Sequence, residues 1–341
     1  MRSFGFQSAF LELTNRCNLN CITCYNQSGC PHPLEDMPLE QVAAAIDTLR
    51  RHHAVSVSFA GGEPLLYPQL GELLALLDRY PDMQFSFVTN GTIAPPGFVD
   101  CYRSHENLTV QISLDGSCEE VNARTRGRGN FDRSMGLLQQ LALPGKQLRV
   151  KMVISAVNSE DVEPFFRMVV AGGAVPEFAF VDCIGNAGRS LLISSSEKIR
   201  LSQLVDRLRE ELQVPTKRLL ATYRCSLAED YDDMLPLIKV NGTIIPCQLL
   251  YDDAYSLGNI HHFDPEAFLA RCEEISSLVF QRRERDYGCS RCFIRQTCKH
   301  GCMAHAVDLT GDPLGDDGNC AFRRSQFLHL PTFPLREEAD A

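Results

Sequence analysis

Short apolar runs and helically spaced apolar residues alternate along the first half of the chain. Residues 9–13 read as a first β-strand. Leu39, Val42, Ile46 and Leu49 recur at helical spacing, and residues 55–59 read as the second strand. Leu70, Leu73, Leu74 and Leu77 predict a helix before a third strand at 85–88. A proline-bearing segment over 95–102 leads to a fourth strand at 108–112. Helices are predicted over 131–141 and 161–170, and strands over 148–154 and 177–181. Strands alternating with helices in this way imply parallel β-α-β units, hence an α/β sheet or incomplete barrel. Ligand sites in such folds gather at the carboxyl ends of the strands.

The residues at those ends are distinctive. Strand one runs into Cys17, strand two into Gly61-Gly62-Glu63-Pro64 and strand three into Thr89-Asn90-Gly91. Strand four leads to Ser113-Leu114-Asp115-Gly116, strand five to Asn158, and strand six to Gly185-Asn186-Ala187-Gly188. A single glycine after a strand is usually a turn. A series of such motifs on one predicted face marks a shared site.

Cys17, Cys21 and Cys24 stand at CxxxCxxC spacing in the first of these loops. Three thiolates are one fewer than a 4Fe–4S cluster takes in an electron carrier. An incomplete protein ligand set leaves a metal position open, as catalytic sites require.

From about residue 194 the pattern changes. A charged amphipathic helix over 197–212 is expected to bridge two domains. Residues 237–240 and 243–245 read as a β-hairpin with a type I′ turn at Asn241-Gly242, ending at Cys247. A helix over 265–285 precedes Cys289, Cys292, Cys298 and Cys302, spaced Cx2Cx5Cx3C, with Cys320 beyond. This is a metal region.

Composition narrows the setting. The N-terminus has no signal-peptide core and no run approaches a membrane span, so a cytoplasmic protein without membrane association is expected. In that reducing compartment fifteen cysteines are better metal ligands than disulfide partners. A net charge of -10 argues against nucleic acid as partner and suits a cationic one.

With these residues assembled, the chain resembles radical S-adenosylmethionine (SAM) enzymes that carry a C-terminal SPASM domain. The resemblance spans roughly residues 9–325. It implies a partial (β/α)6 TIM-like barrel over 1–190, a bridging helix region over 191–220, a cysteine-rich α+β SPASM domain over 221–330, and a tail over 331–341. Cys17, Cys21 and Cys24 match the family's cluster motif, whose open iron is chelated by the amino and carboxylate groups of SAM. Gly61-Gly62-Glu63-Pro64 matches the stretch that holds the SAM amino group. Ser113 and Asp115 match the fourth-strand segment, and Arg126 falls near a basic position that contacts the SAM carboxylate. Asn158 and Val181 sit where the fifth and sixth strands line the cofactor. Thr23 occupies a position that is often aromatic in the family and packs on adenine; Tyr25 is its neighbour here. Thr89 and Asn90 complete the expected cofactor-binding set.

The resemblance implies two further 4Fe–4S clusters, three in all. Cys225, Cys247 and Cys302 would hold the first auxiliary cluster, and Cys289, Cys292, Cys298 and Cys320 the second. No cysteine follows Cys225 within reach, and Tyr231 stands where sulfatase-maturing relatives have a fourth ligand. Asp230, Asp232, a distant cysteine or substrate would then complete the first auxiliary set. His300 and His305 also lie inside the metal region.

The implied activity is reductive cleavage of SAM to a 5′-deoxyadenosyl radical that takes a hydrogen atom from substrate. An oxidative modification of a ribosomal peptide or protein is expected, such as a cross-link or thioether. A small molecule, an amino sugar or cofactor precursor, is the alternative substrate, and a non-catalytic metal scaffold the alternative class. Gln248 replaces the aspartate that follows the Cys247 equivalent in sulfatase maturases, which lowers that reading. An electron donor such as flavodoxin or ferredoxin is implied. The short stretch before strand one leaves leader recognition to a separate protein. Cys118 and Cys183 are candidate hydrogen-atom donors near the barrel mouth, while Cys30, Cys101 and Cys272 read as small buried apolar residues.

Overall fold

The computed structural model describes residues 5–28, 33–222, 225, 227, 234–285, 288–298 and 301–327. Cys30, Asp230, Tyr231, Asp232, His300 and the 331–341 tail, each singled out in the sequence, lie outside them.

Nine strands form one sheet: β1 (Ser8–Thr14), β2 (Ser56–Gly61), β3 (Gln84–Thr89), β4 (Leu108–Ser113), β5 (Leu148–Ile154), β6 (Val175–Phe180), β7 (Leu237–Ile238), β8 (Thr243–Ile245) and β9 (Gly258–Asn259). Their order is β6-β5-β4-β3-β2-β1-β7-β8-β9, and β1 to β6 are all parallel. The helices are α1 (Leu39–Arg51), α2 (Leu70–Leu76), α3 (Phe98–Ser104), α4 (Glu119–Arg126), α5 (Phe131–Leu141), α6 (Val162–Ala171), α7 (Ser195–Leu212), α8 (Pro265–Glu284), α9 (Met303–Thr310) and α10 (Cys320–Phe327). The partial α/β barrel expected from the alternating pattern is present.

Strict alternation decides which strand face carries the core. On β4, Leu108, Val110 and Ile112 are buried, as are Leu148, Val150, Met152 and Ile154 on β5. The intervening Gln111, Ser113, Lys151 and Val153 line a cavity on the other face. Below them a polar layer crosses the sheet, with Ser8 and Ser56 hydroxyls 2.6 Å apart and Ser86 donating to Ser58 at 2.7 Å. Against the helices the core is aromatic: Phe59, Phe85, Phe87 and Phe98 are fully buried, with ring centroids 5.0–5.7 Å apart between neighbours. Each such side chain stabilises the fold by roughly 1.5–3 kcal/mol through burial.

The C-terminal elements do not form a detached sheet. β7 pairs in parallel with β1, matching Phe10 with Leu237 and Leu11 with Ile238. One apolar core runs through both regions, joining Phe6 and Leu11 to Ile244, Phe268 and Met303. Helix α7 packs on α6 of the barrel and on α10. Helices α3, α4, α9 and α10 were not foreseen; in the last two, the cysteines dominate the reading over any apolar period.

The hairpin turn corrects one expectation. Gly242 has φ +84°, but Asn241 is not in the left-handed region, so the turn is not type I′. Lys239 N donates to Thr243 O at 2.9 Å and Gly242 N to Lys239 O at 2.8 Å. This is a type I turn at Val240-Asn241 followed by a glycine bulge. The reason is register. Ile238 faces Ile244 and Leu237 faces Ile245, all buried. A two-residue turn over 241–242 would pair Val240 with Thr243 and slip that apolar match by one residue.

Candidate active site

The loop bearing Cys17, Cys21 and Cys24 is clamped by its neighbours. From β2, Gly62 N donates to Thr14 O and Glu63 N to Arg16 O, both at 2.7 Å. A Cβ on Gly61 or Gly62 would collide with Thr14 O or Arg16 O, so only glycine allows this approach. Glu63 is fully buried and its carboxylate joins two strand ends. It accepts from Leu65 N at 3.0 Å, Thr89 Oγ1 at 2.7 Å and Asn90 N at 2.7 Å. Burial pushes its pKa up to about 7 against those donors. Asn90 then donates to Asn18 Oδ1 at 2.9 Å, reaching the cysteine loop itself. On the other side Ile22 N donates to Thr125 O at 3.0 Å. Asn186, after β6, donates from Nδ2 to Cys21 O at 3.0 Å and from N to Cys24 O at 2.9 Å.

The three cysteines face a cavity of about 460 Å³, within the range that encloses cofactor-sized molecules. Gly61 and Gly62 also line it, as do Thr89 and Asn90 from β3 and Ser113 from β4. Arg126, Val181, Thr23 and Tyr25 complete the expected residues on its wall. Four others lie behind the wall. Pro64 starts the buried turn after Glu63. Asp115 is fully buried, accepting from Val153 N at 2.9 Å and Thr125 Oγ1 at 3.0 Å. It holds Arg126 in an ion pair at 2.8 Å whose Nε–H does not point along the contact. Asn158 accepts from Ser155 N at 2.7 Å and donates to Asp115 O at 2.9 Å. These residues set the shape of the wall and the aim of Arg126.

Burial pushes all three thiols up, Cys17 to about 12, and Arg126 pulls Cys21 back. A metal would draw them to thiolates on binding. Three soft donors on one wall, two side-chain-free glycines and a cation aimed at the same space fit a three-cysteine cluster with an open iron bound by an amino acid's amino and carboxylate groups.

Neither candidate hydrogen donor is among the residues that line the cavity. Cys118 is exposed at the start of α4, and Cys183 is half-buried between Asp182 and Ile184, which line the cavity; its backbone N donates to Asp308 Oδ2 at 2.6 Å.

Several residues at or behind the wall are not among the site residues expected from the sequence. Glu12 on β1 is buried and accepts from Tyr25 Oη at 3.0 Å, Asn26 Nδ2 at 3.2 Å and Tyr251 Oη at 2.9 Å. A carboxylate inside an apolar strand run was the available signal. Lys151 from β5 lines the cavity, its pKa lowered by burial against the pull of Glu177. Gln248 and Leu249 enter the same wall from the C-terminal region. An adjoining cleft of about 490 Å³ shares Tyr25, Asn26, Ile184 and Leu249 with the cavity, and Tyr251, Tyr255, Asp252 and Asp308 line its far side.

The downstream cysteines gather in two groups. Cys302 feels the thiols of Cys247 and Cys225, Cys247 feels that of Cys225, and burial pushes both up, Cys247 to about 11. Cys289, Cys292, Cys298 and Cys320 line one pocket. Beside the trio, His305 Nε2 lies 3.0 Å from Asp182 Oδ1. Burial would lower that imidazole, and Asp182 overcomes it and raises it.

A parallel half-barrel with a three-cysteine loop over a cofactor-sized cavity defines a metal-dependent enzyme. Residues 11–169 match the family model described as Radical SAM superfamily, and this part of the chain is a radical SAM domain. It is 28% identical over 335 residues to the mycofactocin maturase MftC of Mycobacterium tuberculosis, covering 92% of this chain and 83% of that one. It is 23% identical over 338 residues to the AdoMet-dependent heme synthase of Methanosarcina barkeri, covering 92% and 95%. Streptococcus suis SuiB, solved bound to the precursor peptide SuiA, shares the fold with a TM-score of 0.76 at 18% identity, covering 93% of this chain and 76% of that one. No helix among the described residues is long and apolar enough to cross a membrane.

Proposed function

We propose that this enzyme oxidatively modifies a ribosomally made peptide, with SAM as the radical source. The observation that carries the reading is the joint wall: the cysteine loop, the strand ends and Gln248-Leu249 of the C-terminal region enclose one cavity. When bound at Cys17, Cys21 and Cys24, a reduced cluster and SAM supply a carbon radical able to take a hydrogen atom from an unactivated C–H bond. Selectivity then falls to the protein, which must bring one hydrogen close and exclude water. Arg126, aimed by Asp115, would hold the SAM carboxylate, and the Gly61-Gly62 backbone its amino group. The adjoining cleft offers a polypeptide a route to the cavity past Tyr25, and its Asp252 and Asp308 suit a basic segment. The maturase relative, acting on mycofactocin by name, supports a peptide substrate. Two auxiliary clusters are assigned to the C-terminal cysteines, the first completed by a non-cysteine ligand. An external one-electron donor of the flavodoxin or ferredoxin kind, a separate leader-binding protein and a cytoplasmic setting complete the reading.

The heme synthase relative favours a second reading, oxidation of a cofactor precursor in the same cavity. One experiment separates them. Enzyme reconstituted anaerobically to about twelve irons per chain is given a strong reductant, SAM and either the short peptides encoded beside its gene or a porphyrin precursor. A mass loss of two hydrogens in a peptide is expected; turnover of the porphyrin alone would replace the peptide reading.

A further inference from the structure

The two groups of C-terminal cysteines sit in different electrostatic surroundings, joined by one buried ion pair. Arg323 and Asp317 are 2% and 3% exposed. Arg323 Nη1 and Nη2 donate to Asp317 Oδ2 and Oδ1, both at 2.6 Å. The same Nη2 lies 3.5 Å from Cys320 Sγ, within reach of an N–H···S hydrogen bond. Asp317 Oδ2 also accepts from Cys302 N at 2.9 Å. One ion pair therefore touches a cysteine of each group. Gly301 makes room for it, since a Cβ there would strike both Asp317 and Arg323.

The charges around the two groups differ. Arg282, Arg295, Arg323 and Arg324 line the pocket of Cys289, Cys292, Cys298 and Cys320, against Asp316 and Asp317, an excess of two positive charges. Arg282 is buried too, its Nε donating to Gly315 O at 3.0 Å. Asp316 and Asp317 each bring an oxygen within 4.8 Å of Cys320 Sγ. Asp317 is held by Arg323, however, so that grouping is an ion-pair network. At the other group the carboxylate of Asp182 bears on both Cys247 and Cys302, and it is paired with His305 at 3.0 Å, so no excess of positive charge faces that trio.

An iron–sulfur cluster gains negative charge when reduced. Buried cations and N–H···S bonds favour its reduced form, and nearby carboxylates oppose it. We propose that Arg323, oriented by Asp317, tunes the second auxiliary cluster to a higher reduction potential than the first. Arg323 is a positioning residue here, acting through Cys320. The inference rests on the two-cluster reading above.

The test is an EPR-monitored redox titration of the reconstituted full chain. The signal lost in Cys289→Ala identifies the second site. In the unaltered enzyme that site should take up its electron at the higher potential. Arg323→Gln should shift it to lower potential and alter its line shape, leaving the first site in place, while Arg323→Lys should shift it less. Because Arg323→Gln removes a buried partner, Arg295→Gln/Arg324→Gln provides a second measurement at exposed positions, where a smaller downward shift of the same signal is expected. Unmoved potentials in iron-replete Arg323→Gln and in the exposed double variant would overturn the proposal. So would a second site reduced below the first in the unaltered enzyme. Only about eight irons per chain in that enzyme would instead strike the two-cluster reading.

Discussion

The two cysteine-bearing regions are built on opposite principles. The barrel loop around Cys17 is shaped by a scaffold whose core is already dense: fully buried phenylalanines on β2 and β3, and backbone hydrogen bonds to the segments after β2 and β6 and to α4. Its thiols decorate a fold that exists without them. The C-terminal region has strands of two, three and two residues and rests on buried polar links such as Arg323–Asp317. Over residues 288–298 Ile294 is the one buried apolar side chain, which leaves the cysteine loops there dependent on what the cysteines bind. A preformed site tolerates loss of its metal; a site that is itself the fold does not.

Removing the iron should break the symmetry between the regions most visibly. Chelation under anaerobic conditions is expected to abolish hydrogen-exchange protection over 288–320 while β1 to β6 keep theirs. Equal loss in both would refute the contrast. Next in size, Asp317→Ala leaves Arg323 and Arg282 buried without their counter-charge. A cost of about 3–5 kcal/mol is expected, read as a denaturation midpoint shift confined to the C-terminal region; a shift spread evenly over the chain would count against its local origin. The smallest effect belongs to the barrel. Glu63 has a folded pKa of about 7, above its ordinary 4.5, so the folded state holds a proton that the unfolded chain has lost between those values. Its contribution is full below about pH 4.5 and is lost as pH rises through 7, a change of up to about 3 kcal/mol. Urea melts from pH 5 to 8 should show stability falling across that window, and Glu63→Gln should flatten the slope. An equally steep slope in that variant would remove Glu63 as the cause.

Much of the barrel was legible because its signals are local. Period-two and period-3.6 patterns depend on neighbours a few residues apart, so β1 to β6 and the helices α1, α2, α5 and α6 fell close to their expected ranges. The cysteine loop and Gly61-Gly62 were legible because metal spacing and glycine-only approach leave short motifs. Local residues misled once, at Asn241-Gly242, where the favoured type I′ turn yielded to the register that buries Ile238 against Ile244.

The sequence by itself determined the order of strands and helices, the cluster-binding loop and the cysteine inventory. Tertiary structure decided which distant residues share a wall. It set β7 on the free edge of β1, carried Gln248 and Leu249 into the cavity, joined Tyr251 to Glu12, and laid Arg323 between the two C-terminal cysteine groups. These contacts link residues up to 239 positions apart. Their energy comes from burial and hydrogen bonding that exist only after the chain has closed, and no short window of sequence carries that information.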